Sequence, residues 1–146
     1  MNNSRLMMAA LIIGLLCIFC SMGQSLEKQF VEITKPKSGD NVTWRFTVEG
    51  NSSATANSGF KIYVLIWPME ANGSWWVQQT QTFPDGTWES DAYFGRDPKV
   101  YPIDIGTTYK VEAIMTKDAL SANETFRELP NLSKSYRSES IIVKRK

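Results

Sequence analysis

The chain predicts an all-β domain of about seven short antiparallel strands, arranged as a sandwich or barrel. Three observations carry this expectation. From Val42 to Glu49 apolar and polar residues alternate strictly, with Val42, Trp44, Phe46 and Val48 on one face and Thr43, Arg45, Thr47 and Glu49 on the other. Phe60 to Trp67 is rich in β-branched and aromatic residues on both faces, as a central strand requires. Between such runs lie clusters of Gly, Pro, Asn, Asp and Ser, the residues that build turns.

Taken in order, the first strand is expected at Phe30 to Thr34, where Val31 and Ile33 share a face, and it ends at Pro36 and the Ser38-Gly39-Asp40-Asn41 turn. The alternating strand follows. Asn51 to Gly59 and Pro68 to Ser74 read as loops on either side of the central strand, and Trp75 to Phe83 returns antiparallel to it. Pro84-Asp85-Gly86 makes a turn, because Pro pre-sets its backbone angle and Gly is free to take a positive one. It leads into Thr87 to Phe94, with Trp88, Ala92 and Phe94 facing inward. After a connection punctuated by Gly and Pro (GRDPKVYPIDIG), Thr107 to Thr116 sets Tyr109, Val111, Ala113 and Met115 on one face. Asp118 can cap a short helix whose Ala119, Ala122, Phe126 and Leu129 form an apolar stripe, stopped by Pro130. The final strand is expected at Glu139 to Lys144.

Leu6 to Gly23 carries no charge, follows the single basic residue Arg5 and ends in the small residues Ser21 and Gly23. This is the pattern of an export signal cleaved after Gly23. An uncleaved N-terminal anchor is the alternative, and either version puts residues 24–146 outside the cell as one domain, secreted or at the cell surface. Cys17 and Cys20 both fall in this leader, so the remainder folds without a disulfide. Of the six asparagines after Gly23, five begin an Asn-x-Ser/Thr triplet: Asn41, Asn51, Asn72, Asn123 and Asn131. Ser and Thr make up 23 of the 123 residues from Gln24 onward, so chance completes only about one such triplet. The five are candidate glycosylation sites, in keeping with export; coincident turn formers are the plainer reading.

All 15 acidic residues and 15 of the 16 basic ones lie after the leader, which leaves the exported part formally neutral. Nucleic acid is excluded as an expected partner, since phosphate binding calls for a basic stripe and only Lys144-Arg145-Lys146 clusters. Membrane contact is expected only through the N-terminal segment.

The segment Ile105-Gly106-Thr107-Thr108-Tyr109-Lys110-Val111 resembles the corner entering the sixth strand of fibronectin type III and immunoglobulin-like domains. Val31 to Pro36 before a Gly-Asp turn, Val42 to Gly50, Trp75-Trp76-Val77-Gln78 and Asp85-Gly86-Thr87-Trp88 extend the resemblance over nearly all of the exported part. The whole is similar to small immunoglobulin-like modules of exported bacterial and archaeal proteins. The resemblance implies an immunoglobulin-like antiparallel β-sandwich, with Tyr109, Trp44 and Trp88 as structural residues, and it brings no catalytic residues. The expected helix before the last strand departs from a plain fibronectin type III module.

The chain has no histidine, the commonest general base and metal ligand, and no cysteine after the leader, so zinc and Ser-His or Cys-His chemistry are excluded. No metal or other cofactor is expected. Glu89 and Asp91 are the one carboxylate pair to weigh for a hydrolase, and Asp85, Asp97 and Asp104 the oxygen ligands to weigh for calcium, though neither set has a strong spacing. The favoured reading is a non-catalytic interaction or structural module whose partner is a cell-surface protein or a glycan. Tyr63, Trp67 and Trp76, with Leu65 and Ile114, are the candidate aromatic platform. The reading favoured over an open platform is that the Asp118 to Leu129 helix covers that face, burying Phe126 and Leu129 against it.

Overall fold

The computed structural model describes residues 28–55, 57–70 and 73–146. The leader through Gly23, and with it the expected cleavage or anchor, lies outside the described residues, as does Asn72. Among the described residues, eleven strands form two sheets. The first sheet holds β1 (Val31–Lys35), β3 (Arg45–Ser52), β7 (Thr87–Tyr93) and β6 (Gln81–Thr82), in the order β1-β3-β7-β6. The second holds β2 (Asn41–Val42), β11 (Ile141–Arg145), β8 (Thr108–Thr116), β4 (Lys61–Pro68), β5 (Trp75–Gln78) and β9 (Thr125–Phe126), in the order β2-β11-β8-β4-β5-β9. A short β10 (Ser135–Arg137) pairs with the end of β8 that β11 does not reach. All pairings are antiparallel except that of β2 with β11.

The inner faces meet in a core in which sheet one supplies Val31, Val48, Trp88 and Ala92, and sheet two supplies Ile62, Val64, Ile66, Tyr109, Val111, Ala113, Met115 and Val143. Each large apolar side chain fully withdrawn from water there contributes about 1.5–3 kcal/mol. The strand β4 is buried on both faces, as its composition requires, and a second cluster of Tyr63, Leu65, Trp75, Val77 and Ile114 lies on the outer side of sheet two. Leu120, Phe126, Leu129 and Leu132 cover it.

The expected strands are present, but two of them are split. The alternation from Val42 to Val48 runs through a change of sheet. Val42 pairs with Arg145 in sheet two, the chain turns at Thr43 and Trp44, and Arg45 begins β3 in sheet one. The Thr43 hydroxyl donates to the Arg45 carbonyl at 2.6 Å and steadies the crossing. Trp75 to Phe83 is likewise divided between β5 and β6, with Gln79 offering its carbonyl to the Ser90 hydroxyl at 2.6 Å. These two splits, with the short β9 and β10 that no expected strand covers, raise the count among the described residues to eleven from the expected seven.

The helix expected at Asp118 to Leu129 is absent, and the only helical turn among the described residues is a 3-10 turn at Pro102–Asp104. Asp118 does not cap: its carboxylate accepts from the Ser133 amide and hydroxyl, both at 2.8 Å. Asn123 takes a positive φ of 65°, and Thr125–Phe126 then pairs with the exposed edge of β5. An open strand edge offers unpaired backbone groups, and filling it satisfies more of them than a short isolated helix would. Phe126 and Leu129 still land on the apolar face that the helix was expected to cover.

Close approach of its two neighbours within sheet one fixes Gly50 in β3: a Cβ there would lie 2.1 Å from both the Glu32 carbonyl oxygen of β1 and Trp88 Cζ2 of β7. Gly39 has a positive φ of 92° but open space around it. Gly50→Ala is therefore expected to destabilise by about 3 kcal/mol through overpacking, against about 1 kcal/mol of backbone strain for Gly39→Ala, as read from urea denaturation midpoints.

Candidate functional site

The candidate site lies at the end of the sandwich where β7 runs out, β8 begins and the β4–β5 connection turns. Along β5, Trp75 and Val77 belong to the outer cluster of sheet two, so Trp76 and Gln78 point the other way, toward the gap between the sheets. Gln78 bridges that gap by accepting from the Tyr93 amide at 3.1 Å. Trp76 and Tyr93 remain 42% and 41% exposed, and they face a cavity of 420 Å³ whose wall also includes Ile66, Pro68, Glu70, Arg96, Asp104 and Tyr109. A shallower groove of 380 Å³ shares Trp76, Tyr93, Gly95 and Arg96 with it, and extends past Trp44, Val100 and Tyr101 to Asn123.

A knot of polar side chains sets the floor. Arg145 near the chain end is fully buried; its Nη1 donates to the Phe94 carbonyl at 3.0 Å and lies 3.6 Å from Asp104 Oδ2. Its Nε and Nη2 have no hydrogen-bond partner among the described residues. Asp104 accepts from the Arg96 backbone amide at 2.8 Å, from Nε at 3.1 Å and from Nη2 at 3.0 Å. The bound Arg96 guanidinium holds the Asp104 carboxyl below the usual carboxylate range, and Arg96 itself is raised by the same contact. Arg96 also lies over the Tyr101 ring, 4.4 Å from its centre. Tyr109 packs edge-on against Phe94 at 5.5 Å, and its phenol is pushed up by burial and by the Asp104 carboxylate. All of this converges on Gly95, whose φ is 83°; a Cβ there would lie 2.5 Å from the Tyr109 hydroxyl, 2.8 Å from Arg145 Nη1 and 2.9 Å from Asp104 Oδ2.

Glu70 forms the opposite rim. Desolvation pushes its carboxyl up, but the Thr108 amide donates to both of its oxygens at 2.8 Å and the net direction is down. The cavity wall thus carries two ionised carboxylates, Glu70 and Asp104, and one guanidinium that Asp104 neutralises. Fixed hydrogen-bonding groups beside aromatic rings can orient a polar ligand that also offers an apolar face.

The aromatic platform weighed from the sequence is not gathered in one open place, and most of it is covered by the segment that follows Asp118. Tyr63 is buried, and its hydroxyl accepts from the Leu120 amide at 3.1 Å. Trp67 is half-buried, stacked on Trp75 at 5.9 Å, with Nε1 donating to the Gly73 carbonyl at 3.3 Å. Ile114 and Leu65 are fully buried beneath the 120–132 segment, so only Trp76 of the set reaches the open cavity. Trp88 is a core residue, whereas Trp44 is half-buried beside Tyr93, ring centres 5.5 Å apart, on the groove wall. Tyr93, Arg96, Tyr101 and Glu70 were not singled out in the sequence. The readable signal was the unpatterned apolar run Val100, Tyr101, Ile103 and Ile105 in a Gly- and Pro-punctuated connection, all of it exposed.

Glu89 and Asp91 lie on the outer face of sheet one, where Arg45 and Thr47 bind Asp91 and hold its carboxyl down. Asp85 accepts from Thr87, Asp97 from the Lys99 amide and Asp104 from Arg96, so the three aspartates weighed for calcium do not converge. No group of three acidic side chains is placed to hold a metal ion among the described residues. Of the acceptor asparagines, Asn41, Asn123 and Asn131 are exposed, while Asn51 is half-buried with Nδ2 donating to Glu32 at 3.0 Å.

No described protein family matches the chain, and no characterised protein matches it in sequence. Among solved structures it is similar to the endo-β-1,4-mannanase from Thermotoga petrophila, at 13% identity and a TM-score of 0.49, over 86% of this chain and 21% of that one. The chain therefore spans about a fifth of that protein's length.

Because Asp104 is depressed in the folded state, the unfolded chain takes up its proton at higher pH. The stability this carboxylate contributes is full above its ordinary pKa of about 3.9 and is lost as pH falls through the lower folded value. Asp104→Asn is expected to lower stability at pH 7 by about 2 kcal/mol, the scale of a hydrogen bond to a charged group, and to flatten the loss on acidification. Thermal melts of both proteins between pH 7 and pH 2 check this.

Proposed function

We propose that this is a non-catalytic surface module of immunoglobulin-like architecture, acting outside the cell and binding its ligand in the aromatic cavity between Trp76 and Tyr93. The exposure of these two rings on one cavity wall, 42% and 41%, is the observation that carries the reading. Large aromatic side chains are normally buried where a core is available, and their retention at a concave, polar-rimmed surface fits ligand contact.

The strand orders support the architecture. The order β1-β3-β7-β6 follows the A-B-E-D sheet of an immunoglobulin-like sandwich, and β11-β8-β4-β5 follows G-F-C with one added strand. Tyr109 stands at the start of the sixth strand in that scheme, as a corner tyrosine does. Export is supported by the uncharged N-terminal run and the five acceptor triplets. Phe30 and Ser53 exchange hydrogen bonds next to Gly86, at the end of the sandwich opposite the aromatic cavity.

A glycan is the favoured ligand class. Pyranose rings offer faces of weakly positive C–H groups that pack on the electron-rich faces of Trp and Tyr, and hydroxyls that use both carboxylates and guanidinium. Among the described residues, the cavity wall has no unpaired cation to favour an acidic ligand. The carboxylates are held ionised rather than raised toward neutrality, which fits binding better than acid catalysis. A partner protein is the second reading, favoured by Val100 on the groove wall and by Ile103 and Ile105 in the same connection, which are 63%, 74% and 54% exposed.

Glycan-array screening of the exported chain is expected to return uncharged oligosaccharides, and Trp76→Ala or Tyr93→Ala to weaken the best of them about tenfold in calorimetry while the β-sheet circular dichroism of the folded domain is retained. Retained affinity in both variants would reject the site. A blank array with capture of a protein through Val100 and Ile103 would move the assignment to the second reading.

A further inference from the structure

The outer groove and one acceptor triplet occupy the same place. Asn123 begins the triplet Asn123-Glu124-Thr125 and is itself part of the groove wall that includes Trp76, Tyr93 and Tyr101. Its backbone is held firmly: the amide donates to the Val77 carbonyl at 2.9 Å, Val77 returns a bond to the Glu124 carbonyl at 3.0 Å, and Thr125 stands directly across from Trp76 in the β5–β9 ladder. The left-handed φ of 65° puts Asn123 at the apex of a turn, a conformation Asn adopts at small cost. Its side chain is exposed, and among the described residues no hydrogen bond engages the amide. Asn51 differs on every count, being half-buried within a strand with its amide committed to Glu32.

We infer that Asn123 carries a glycan whose first sugar lies in the groove against Trp76, so that the occupant of this surface is a modification of the chain itself. The chemistry is that of a sugar on an aromatic wall: the attached ring is delivered by the asparagine amide, two residues along the chain from the partner of Trp76. A ring tethered at the rim faces the aromatic surface at high effective concentration, so a contact weak between separate molecules is populated. The deeper cavity, with Glu70, Asp104 and Tyr109, remains beyond it. Occupancy at Asn123 therefore sets whether the outer groove is open to a free ligand. This rests on the reading of the domain as exported and glycosylated.

The test is to secrete the full chain from a host that glycosylates Asn-x-Ser/Thr triplets, map occupancy by glycopeptide mass, and follow oxidation of Trp76 by N-bromosuccinimide in the same digests. Three proteins are compared: the natural chain; Asn123→Asp, which loses the acceptor but tolerates the left-handed backbone; and Thr125→Ser, which alters the strand but keeps the triplet. A stacking contact worth about 1 kcal/mol corresponds to about fivefold slower oxidation of Trp76 in the natural chain and in Thr125→Ser than in Asn123→Asp. Equal rates with Asn123 occupied would overturn the groove contact. A bare Asn123 with glycan at other acceptors would overturn the modification at this residue while leaving export standing. Absence of glycan at every acceptor would overturn both. Enzymatic removal of glycan from the natural chain, which leaves the sequence intact apart from each glycosylated Asn becoming Asp, is expected to restore the faster rate.

Discussion

The structure depends on a single strand with two apolar faces. The side chains of β4 alternate Ile62, Val64 and Ile66 with Tyr63, Leu65 and Trp67, and water is unfavourable on either side. The first set is met by the sheet β1-β3-β7-β6, giving the sandwich. The second has no sheet to meet and is covered instead by Leu120, Phe126, Leu129 and Leu132 from the long connection between β8 and β11. Because that connection is drawn across the outer face of sheet two, it also fills the edge of β5 with Thr125–Phe126 and brings Asn123 to the end of the molecule. The aromatic groove is thus a consequence of how the surplus face of β4 is buried.

A second constraint holds the site in shape without a disulfide. Removing a guanidinium from water is costly, and Arg145 recovers part of that cost from the Phe94 carbonyl and from Asp104. The contact pins the last strand to the start of the β7–β8 connection, and Arg96 fastens the same carboxylate from outside. The backbone at Gly95 must come so close that no side chain fits. A connection that would otherwise be free to move therefore presents Arg96 and Tyr101 at fixed positions, which lowers the ordering cost of binding.

Much of the fold was legible because two-residue alternation reports burial directly: Trp88, Ser90 and Ala92 face in and Glu89 and Asp91 face out, as the pattern of β7 reads. Alternation does not say which sheet a strand joins, so the crossings at Trp44 and at Gln79 passed unseen. The 118–129 segment was misread as a helix because Ala119, Ala122, Phe126 and Leu129 have helical spacing, and nothing local reveals that the edge of β5 stands open beside it. As a ligand contact the site was legible only at Trp76, while Asp104, Tyr109, Trp44 and Asn123 stand out in the sequence for other roles. Tyr63 and Trp67 look equally available in sequence, and only the path of the covering segment separates them from it. Arg96, Asp104, Tyr109 and Arg145 act together across the Gly95 approach, and no spacing along the chain connects residues 96 and 145.

Amide and indole chemical-shift mapping by two-dimensional NMR, with the isotope-labelled domain titrated against uncharged oligosaccharides, tests the central claim most directly. Binding at the aromatic end predicts saturable shifts at the Trp76 indole and at the amides of Tyr93, Gly95, Arg96 and Tyr101, with the outer face of sheet one and the Tyr63 to Trp67 side unmoved. Saturable shifts confined to Glu89, Asp91 and their neighbours, or no shifts with any saccharide, would contradict it.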